Sequence, residues 1–255
     1  MIRDIGYYVI MSVNKKALVT GAAARIGASI AEKLHQRDCD VILHYNSNRE
    51  AAQQLADRLN AIRAGSASLV SADLCRLAGV EQLAEQVKSR HKQLDILVNN
   101  ASRFYATTVG ATLEWQWDDL LNSNLKGPYF LAQALLGELR QARGSIINLL
   151  DVYSERPMSG HAVYCISKAG LAMMTRALAR DLGPEIRVNG ISPGAILWPE
   201  NEPAEDDKQS ILGRTALGRL GEPADIASAV AYLALDAPYV TGQILAVDGG
   251  RSVNI

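Results

Sequence analysis

The chain has 255 residues, of which 48% are hydrophobic and 21% are charged, and its formal net charge is −1. That composition is typical of a globular protein, and the near-neutral charge offers no basic face for nucleic acid. The sequence lacks an apolar run of ~18 residues, so no membrane span is expected. Its four scattered histidines show no metal-binding spacing. Three widely spaced cysteines indicate a reducing, cytoplasmic location rather than a disulfide framework or a zinc site.

Residues 1–12 precede the first regular pattern. They lack the apolar core and the small-residue cleavage site of a signal peptide, and Met11 offers an alternative start. We expect this segment to be a poorly ordered extension. Residues 13–255 contain no internal repeat, low-complexity tract or linker, so a single domain is expected there.

Short β-rich apolar runs alternate with amphipathic helical patterns through the rest of the chain. Strands are predicted at residues 17–20, 41–45, 68–71, 96–99, 145–149, 187–191 and 243–247, and helices near 26–37, 48–62, 77–91, 114–141, 160–181 and 223–235. This alternation predicts an α/β fold, a doubly wound Rossmann fold whose seven-stranded parallel sheet carries helices on both faces. Residues 194–213 are predicted to be irregular, either a mobile loop over the site or a solvated surface loop.

A glycine-rich turn, residues 20–27, follows the first strand directly. Small residues let the backbone approach a ligand closely, and the helix that follows presents free N–H groups to a pyrophosphate. Gly21, Arg25, Ile26 and Gly27 are therefore predicted to bind a dinucleotide. The alternative is a tight strand–helix turn that needs glycine only for packing.

The end of the second strand predicts which dinucleotide is bound. An acid there would bind the ribose 2′-OH of NAD, but residues 44–49 contain none. His44, Asn46 and Ser47, with Arg25 nearby, suit a 2′-phosphate, so NADPH is predicted; ordinary loop polarity is the alternative. Asp73, after the third strand, is expected near the adenine amino group.

Tyr164 and Lys168 lie four residues apart, so a helix presents both on one face. An ammonium beside a phenol favours the phenolate, and we expect Lys168 to lower the pKa of Tyr164 so that it can pass a proton. A surface lysine beside a half-buried tyrosine is the alternative. Asp151 precedes Tyr164 by thirteen residues.

These features together resemble the short-chain dehydrogenase/reductase family over essentially the whole chain. The motifs are T-G-x-x-x-x-x-G at residues 20–27, Asn99-Asn100-Ala101, Asn124, Tyr164-x-x-x-Lys168, Pro193-Gly194 and Asp248-Gly249-Gly250. The resemblance implies hydride transfer with a nicotinamide. Tyr164 would then donate the proton, Lys168 would hold the nicotinamide ribose, and Asn124 would anchor a water in the proton relay.

The resemblance also implies further contacts and an assembly. Cofactor contacts are expected at Asn99, Ala101, Ser102, Pro193 and Gly194, and no metal is expected. The family usually forms homotetramers through two long helices, here 114–141 and 160–181. Apolar positions on more than one face of the second helix agree with this; they include Leu171, Met174, Leu178 and Leu182.

Two departures from the common family pattern refine the expected substrate. Arg25 replaces the middle glycine of the turn, and Asp151 replaces a serine that would donate a hydrogen bond to a substrate carbonyl. An ionised aspartate can only accept, which disfavours a ketone and favours a substrate with ring N–H or amino groups. Both departures resemble the pteridine reductase branch of the family, as does the segment 99–105, N-N-A-S-R-F-Y.

The expected function is therefore an NADPH-dependent pteridine reductase acting on a dihydropterin or on dihydrofolate. By the resemblance, Ser102, Phe104, Asp151 and Tyr164 contact the pterin, with Phe104 stacking it against the nicotinamide. Core packing is the alternative for Phe104, and the effect of Arg103 is open. A carbonyl reductase such as a 3-oxoacyl reductase is the runner-up. A non-catalytic dinucleotide-binding protein is a third hypothesis, disfavoured by the intact Asn124, Tyr164 and Lys168.

Overall fold

The computed structural model describes residues 14–197 and 205–253, so the expected extension at residues 1–12 lies outside the described residues. Within the described part, seven parallel strands form one sheet in the order β3-β2-β1-β4-β5-β6-β7. The strands are β1 (Lys16–Val19), β2 (Asp40–Tyr45), β3 (Ala67–Ser71), β4 (Ile96–Asn99), β5 (Ser145–Leu149), β6 (Arg187–Pro193) and β7 (Ile244–Val247). Each lies within two residues of its predicted position, and the predicted fold class is confirmed.

Helices cover both faces of this sheet. They are α1 (Arg25–Gln36), α2 (Arg49–Ile62), α3 (Leu77–Arg90), α4 (Glu114–Leu121), α5 (Gly127–Ala134), α6 (Leu136–Ala142), α7 (Ala162–Leu182), α8 (Glu205–Gly213) and α9 (Pro223–Ala231). No helix in the described ranges is both long enough and apolar enough to cross a membrane.

Strand alternation divides the core into two layers, because consecutive side chains point to opposite faces of a sheet. On β1, Ala17 and Val19 pack with residues of α1, α2 and α9, whereas Leu18 packs on the other face with residues of α3, α5 and α7. All three side chains are fully buried. Burial of each large aliphatic side chain contributes roughly 1.5–3 kcal/mol, so the two layers clamp the sheet that carries the site.

The helix predicted over residues 114–141 is interrupted. A π-helical turn, Asn122–Lys126, separates α4 from α5, and a further break at Leu135 separates α5 from α6. Pro128 accounts for the first interruption, since it has no N–H to donate to the carbonyl of Asn124 in an α-helical pattern. The apolar periodicity of residues 114–141 predicts one continuous helix because it takes no account of the N–H that Pro128 lacks.

One other expectation needs correction. Residues 205–213 of the segment predicted to be irregular form α8, while residues 198–204 lie outside the described part. Residues 208–212 contain no glycine or proline, so they can continue a helix that Gly213 ends. On α7, Leu171 and Met174 pack into the chain's own core and form one of the apolar faces expected of this helix.

A close backbone approach at Gly27 gives the first prediction. A Cβ at Gly27 would lie 2.2 Å from the Gly21 carbonyl oxygen, a backbone atom that cannot rotate away. We expect Gly27→Ala to lower the free energy of unfolding by about 2–3 kcal/mol and to weaken cofactor binding. Chemical denaturation and a cofactor titration measure the two effects.

Gly137→Ala is the matched control, because Gly137 lies in α6 with no heavy atom within 4 Å of its added Cβ. This variant should raise the free energy of unfolding by roughly 0.5–1 kcal/mol. Equal stability of the two variants would show that the turn relaxes without cost.

Candidate active site

The first cavity lies at the carboxyl ends of β1 and β2, beside the point where the strand order reverses between β1 and β4. Open α/β sheets bind ligands at this position. The cavity has a volume of about 440 Å³. Among its lining residues are Gly21, Arg25, Ile26, Gly27, His44, Asn46, Ser47, Asp73, Ala101 and Ser102, all predicted as cofactor contacts.

Thr20 and Asn100 hold the glycine turn in place. The Thr20 hydroxyl accepts hydrogen bonds from the N–H groups of Asn100 and Ala101, at 2.9 and 3.0 Å. The Asn100 side-chain amide donates to the carbonyls of Thr20 and Gly21, at 2.8 and 3.1 Å. The sequence motif contained both residues, but their role as the link between the β1 and β4 loops required the structure.

His44 fastens the turn from the other side. Its Nδ1 accepts a hydrogen bond from the Gly21 N–H at 3.2 Å. Its Nε2 donates to the Ala72 carbonyl oxygen at 3.1 Å, because a carbonyl oxygen can only accept a hydrogen bond. Burial lowers the pKa of His44 to about 4, so the ring is neutral. Both ring nitrogens are therefore engaged within the protein. His44 lines the cavity, but its ring holds the glycine turn against the loop after β3 instead of donating to a phosphate as expected.

The donor set of this cavity fits an anionic dinucleotide. The backbone N–H groups at the start of α1 face it, and Arg25, Asn46 and Ser47 add side-chain donors. Asp73 is the one carboxylate among the described lining residues, and its Oδ1 accepts from the Cys75 N–H at 3.0 Å. The end of β2 thus offers donors where an NAD-specific site would offer a carboxylate.

A second cavity, of about 670 Å³, continues along the same edge of the sheet. It shares Arg25, Ile26, Asn100 and Ser102 with the first cavity, so the two adjoin. Its remaining lining includes Phe104, Asp151, Tyr153, Tyr164, Lys168, Pro193, Gly194 and Leu197. With the exception of Asn99 and Asn124, the predicted catalytic and cofactor residues thereby face a continuous cleft.

Asp151, Tyr164 and Lys168 converge at the floor of the second cavity. The Tyr164 hydroxyl donates to Asp151 Oδ2 at 2.7 Å, and Asp151 Oδ1 accepts from the Tyr153 N–H at 3.0 Å. The Lys168 ammonium donates to the Leu149 carbonyl at 2.8 Å and lies 5.8 Å from the centroid of the Tyr164 ring. Tyr153, which the sequence did not single out, therefore orients the carboxylate.

The protonation of this group differs from the expectation. Burial and the facing Asp151 carboxylate raise the pKa of Tyr164, so the prediction that Lys168 lowers it is wrong. The cause is geometric, since the tyrosine hydroxyl meets a carboxylate while the ammonium binds a backbone carbonyl. Burial also raises the pKa of Asp151 and lowers the pKa of Lys168 to about 8. Tyr164 thus retains its proton, as a proton donor must.

The Asn124 side chain is fully used within the protein. Its Oδ1 accepts from the Ser102 hydroxyl and the Arg103 N–H, at 3.1 and 2.8 Å. Its Nδ2 donates to the Arg103 carbonyl and the Ser167 hydroxyl, both at 3.0 Å. An amide has two donor and about two acceptor positions, so the side chain cannot also anchor the expected water. It fixes the segment 102–103 to α7 instead.

Asn99 also has a structural place. Its Nδ2 donates to Asn148 Oδ1 at 2.8 Å, and Asn148 in turn donates to the Thr175 hydroxyl at 2.9 Å. The Asn99 side chain is buried and is not among the described lining residues of either cavity. The expected cofactor contact is therefore not made by this side chain, because it points into the core between β4 and β5.

Phe104 and Arg103 point in different directions. The Phe104 ring is 54% exposed and lines the second cavity, so the core-packing alternative is wrong. The Arg103 guanidinium forms an ion pair with Asp119 of α4 and lines the first cavity. The Tyr105 hydroxyl donates to the same carboxylate at 3.0 Å, which anchors the segment to α4.

Comparison with known proteins shows the family to which the chain belongs. A family profile described as enoyl-(acyl carrier protein) reductase matches residues 21–252. The chain belongs to the short-chain dehydrogenase/reductase family. The 3-oxoacyl-[acyl-carrier-protein] reductase FabG of Staphylococcus aureus is 36% identical over 94% of this chain and 99% of its own length. Members of this family are nicotinamide-dependent oxidoreductases, and the chain is one of them.

Other family relatives bear on the finer expectations. Pteridine reductase 1 of Leishmania tarentolae is 34% identical over 93% of this chain and 96% of its own length. A solved blue fluorescent protein from a metagenomic library, in complex with NADPH, has a TM-score of 0.85 and 35% identity and covers 93% of this chain and 97% of its own. Its cofactor agrees with the one expected from the sequence. The relatives named 3-oxoacyl reductases match somewhat better than the pteridine reductase, so the comparisons do not support the pteridine reductase branch.

The lowered pKa of Lys168 predicts how cofactor binding depends on pH. Below a pH of about 8 the buried ammonium is charged, and above it the group loses its proton and part of its capacity to bind a ribose. The dissociation constant of NADPH should therefore rise as pH increases through about 8. Fluorescence titration of NADPH from pH 6 to 10 measures this dependence.

Two variants test whether the pH dependence of NADPH binding comes from Lys168. Lys168→Met should bind NADPH weakly at every pH and lose the inflection. Lys88→Met is the control, because Lys88 lies in the last turn of α3, where it forms a surface ion pair with Glu85, and it lines neither cavity. A dissociation constant for NADPH that stays constant from pH 6 to 10 would contradict the assignment.

Proposed function

We propose that this protein is an NADPH-dependent pteridine reductase that converts a dihydropterin, or dihydrofolate, to its tetrahydro form. The observation that carries the proposal is the 2.7 Å hydrogen bond from the Tyr164 hydroxyl to Asp151 Oδ2 in the wall of the second cavity. A carboxylate there accepts hydrogen bonds, so it suits the ring N–H and amino groups of a pterin. It would repel the alkoxide that develops when a ketone is reduced.

The same pair can supply the proton that the reaction consumes. NADPH provides the hydride to a C=N carbon of the substrate, and the adjacent ring nitrogen needs one proton. Tyr164 keeps its proton because burial and Asp151 raise its pKa, and the raised pKa of Asp151 lets that carboxyl hold a proton in turn. Tyr164 can thus donate its proton to the ring nitrogen, and the carboxyl of Asp151 can pass a proton from solvent back to Tyr164.

A 3-oxoacyl thioester reductase is the second candidate, and the relatives favour it. Reductases of this name from Staphylococcus are 35–36% identical over nearly the full chain. In such a reaction Tyr164 would donate to the substrate carbonyl. The hydroxyl here donates to Asp151 instead, and the site lacks the serine of the common family pattern at this position. NADPH oxidation with dihydrobiopterin and with an acetoacetyl thioester separates the two functions.

Cofactor selectivity gives a further prediction. Arg25 lines both cavities, and with Asn46 and Ser47 it supplies the cation and donors for a 2′-phosphate. The unmodified protein should prefer NADPH over NADH by roughly ten- to hundred-fold, or about 1.4–3 kcal/mol. Arg25→Ala should raise the KM for NADPH and leave the KM for NADH almost unchanged. Steady-state kinetics with each cofactor measure both, and equal use of the two by the unmodified protein would refute the selectivity.

Substitutions of Asp151 test the substrate chemistry. Asp151→Asn keeps the size of the side chain but removes its proton exchange, so kcat for dihydropterin should fall by ~100-fold or more. NADPH affinity should persist, since the glycine turn and Lys168 are unchanged. Asp151→Ser should not restore pterin reduction but should improve reduction of an acetoacetyl thioester. Full pterin turnover by Asp151→Ser would make the aspartate incidental and move the thioester reductase to first place.

We also propose a cytoplasmic homotetramer. The three cysteines are free thiols, which suits a reducing compartment. Large apolar side chains are exposed on the two helical regions expected to form it: Ile166 and Met173 on α7 are 47% and 61% exposed, and Trp115 on α4 is 59% exposed. Exposed large apolar side chains on these helices suit subunit contacts.

Light scattering tests the assembly. The unmodified protein should have about four times the chain mass of 27.5 kDa. Met173→Glu should shift it towards smaller species, because a charge would be buried at the contact. A monomer mass for the unmodified protein at assay concentration would contradict the proposal.

A further inference from the structure

A second aromatic ring lies behind Phe104. The imidazole of His161 stacks on the Phe104 ring with centroids 4.9 Å apart and an interplanar angle of 11°. The rings of Tyr164 and Phe104 form a T-shaped pair, with centroids 4.8 Å apart and an interplanar angle of 82°. Phe104 is nevertheless 54% exposed and lines the substrate cavity. One face of the ring is therefore covered by His161, and the exposure that remains is available to a ligand.

The backbone fixes the position of the His161 ring. Its Nδ1 lies 2.9 Å from the Ser159 carbonyl oxygen, which can only accept, so Nδ1 carries the proton and donates. Gly160, with φ of +71°, turns the chain between them, and its carbonyl accepts from the Thr107 N–H at 2.7 Å. His161 immediately precedes α7 and lies three residues before Tyr164. The backing ring and the catalytic tyrosine are thus placed by the same helix start.

We propose that His161 is a positioning residue that sets substrate specificity, because it holds Phe104 as one layer of a stacking platform for a flat aromatic heterocycle. This inference rests on the proposed pteridine reductase function and names a determinant of its substrate class. A partly exposed aromatic ring loses rotamer freedom when a ligand stacks on it, and a backing ring removes part of that freedom beforehand. The platform gains contact only with a planar ring, because stacking requires two parallel π faces. A flexible acyl thioester offers no such face.

Three substitutions separate the ring from its polar contact. His161→Gln retains a donor but no ring, His161→Phe retains a ring but no donor, and His161→Ala retains neither. His161→Gln and His161→Ala should raise the KM for dihydrobiopterin about three- to ten-fold while kcat changes less than two-fold. His161→Phe should restore the KM. The KM for NADPH should stay constant in all three, as should reduction of an acetoacetyl thioester, where it is measurable.

A double substitution shows whether His161 acts through Phe104. Phe104→Ala should raise the KM for dihydrobiopterin, and adding His161→Gln to it should have no further effect. A merely structural role would instead lower the thermal midpoint and change kcat, and His161→Phe would not rescue it. Additive effects of the two substitutions on KM would overturn the inference.

Direct binding keeps this test apart from the test of turnover. The probe is 2-amino-4-oxopteridine, titrated by its own fluorescence into enzyme loaded with NADP⁺. If the unmodified enzyme binds the probe and both His161→Gln and Phe104→Ala weaken binding, the platform stands even if dihydropterin is not reduced. If dihydrobiopterin is reduced but His161→Gln leaves its KM and probe binding unchanged, the inference fails and the reductase function stands. Absence of probe binding by the unmodified enzyme also overturns the inference.

Discussion

The Thr20 hydroxyl is the contact on which the site depends. It donates to the Val98 carbonyl at 3.2 Å and accepts from the N–H groups of Asn100 and Ala101. β1 and β4 are neighbouring strands, and the chain leads from β1 to β2 and from β4 to β5, in opposite halves of the sheet. The Thr20 hydroxyl and the Asn100 side chain therefore fix the distance between the glycine turn after β1 and the segment after β4.

From that contact the hydrogen bonds continue to the catalytic helix. The segment after Ala101 is tied by Asn124 to Ser167 of α7, one residue from Lys168. Ser167 in turn donates to the Tyr164 carbonyl at 2.7 Å. The glycine turn, the segment after β4 and the start of α7 are thus linked by buried polar contacts rather than by apolar packing alone. Such networks fix geometry strongly, because an unpaired member would lose its full solvation.

Much of the fold followed from the sequence, because strand–helix alternation leaves few possible topologies. All seven strands were located, and the glycine turn and the Tyr164–Lys168 spacing led to the correct edge of the sheet. The break in the helix over residues 114–141 was missed because apolar periodicity does not register one absent N–H at Pro128. The missing N–H of one proline interrupts the helix there, although the apolar periodicity on both sides is helical.

The protonation states of the site residues were harder to predict than the identity of those residues. Spacing placed Lys168 beside Tyr164, but the direction of the tyrosine pKa depends on which group meets the hydroxyl and on how much water reaches it. Likewise, the sequence motifs singled out His44 and Asn124, yet only their complete sets of hydrogen-bond partners show that they hold neighbouring segments in place. Sequence gives the residue at a position, whereas the use of its donors and acceptors is a property of the packed state.

Arg25 begins α1 with φ of +54°, in the left-handed region that costs a residue with a side chain roughly 1–2 kcal/mol. Glycine, which the common family pattern has at this position, would adopt the same conformation without strain. The chain thus holds a conformationally less favourable residue in the cleft, where Arg25 lines both cavities. Thermodynamic stability and ligand recognition oppose each other at this position. Selection for heat resistance alone would favour glycine there and would remove the cation from the cleft.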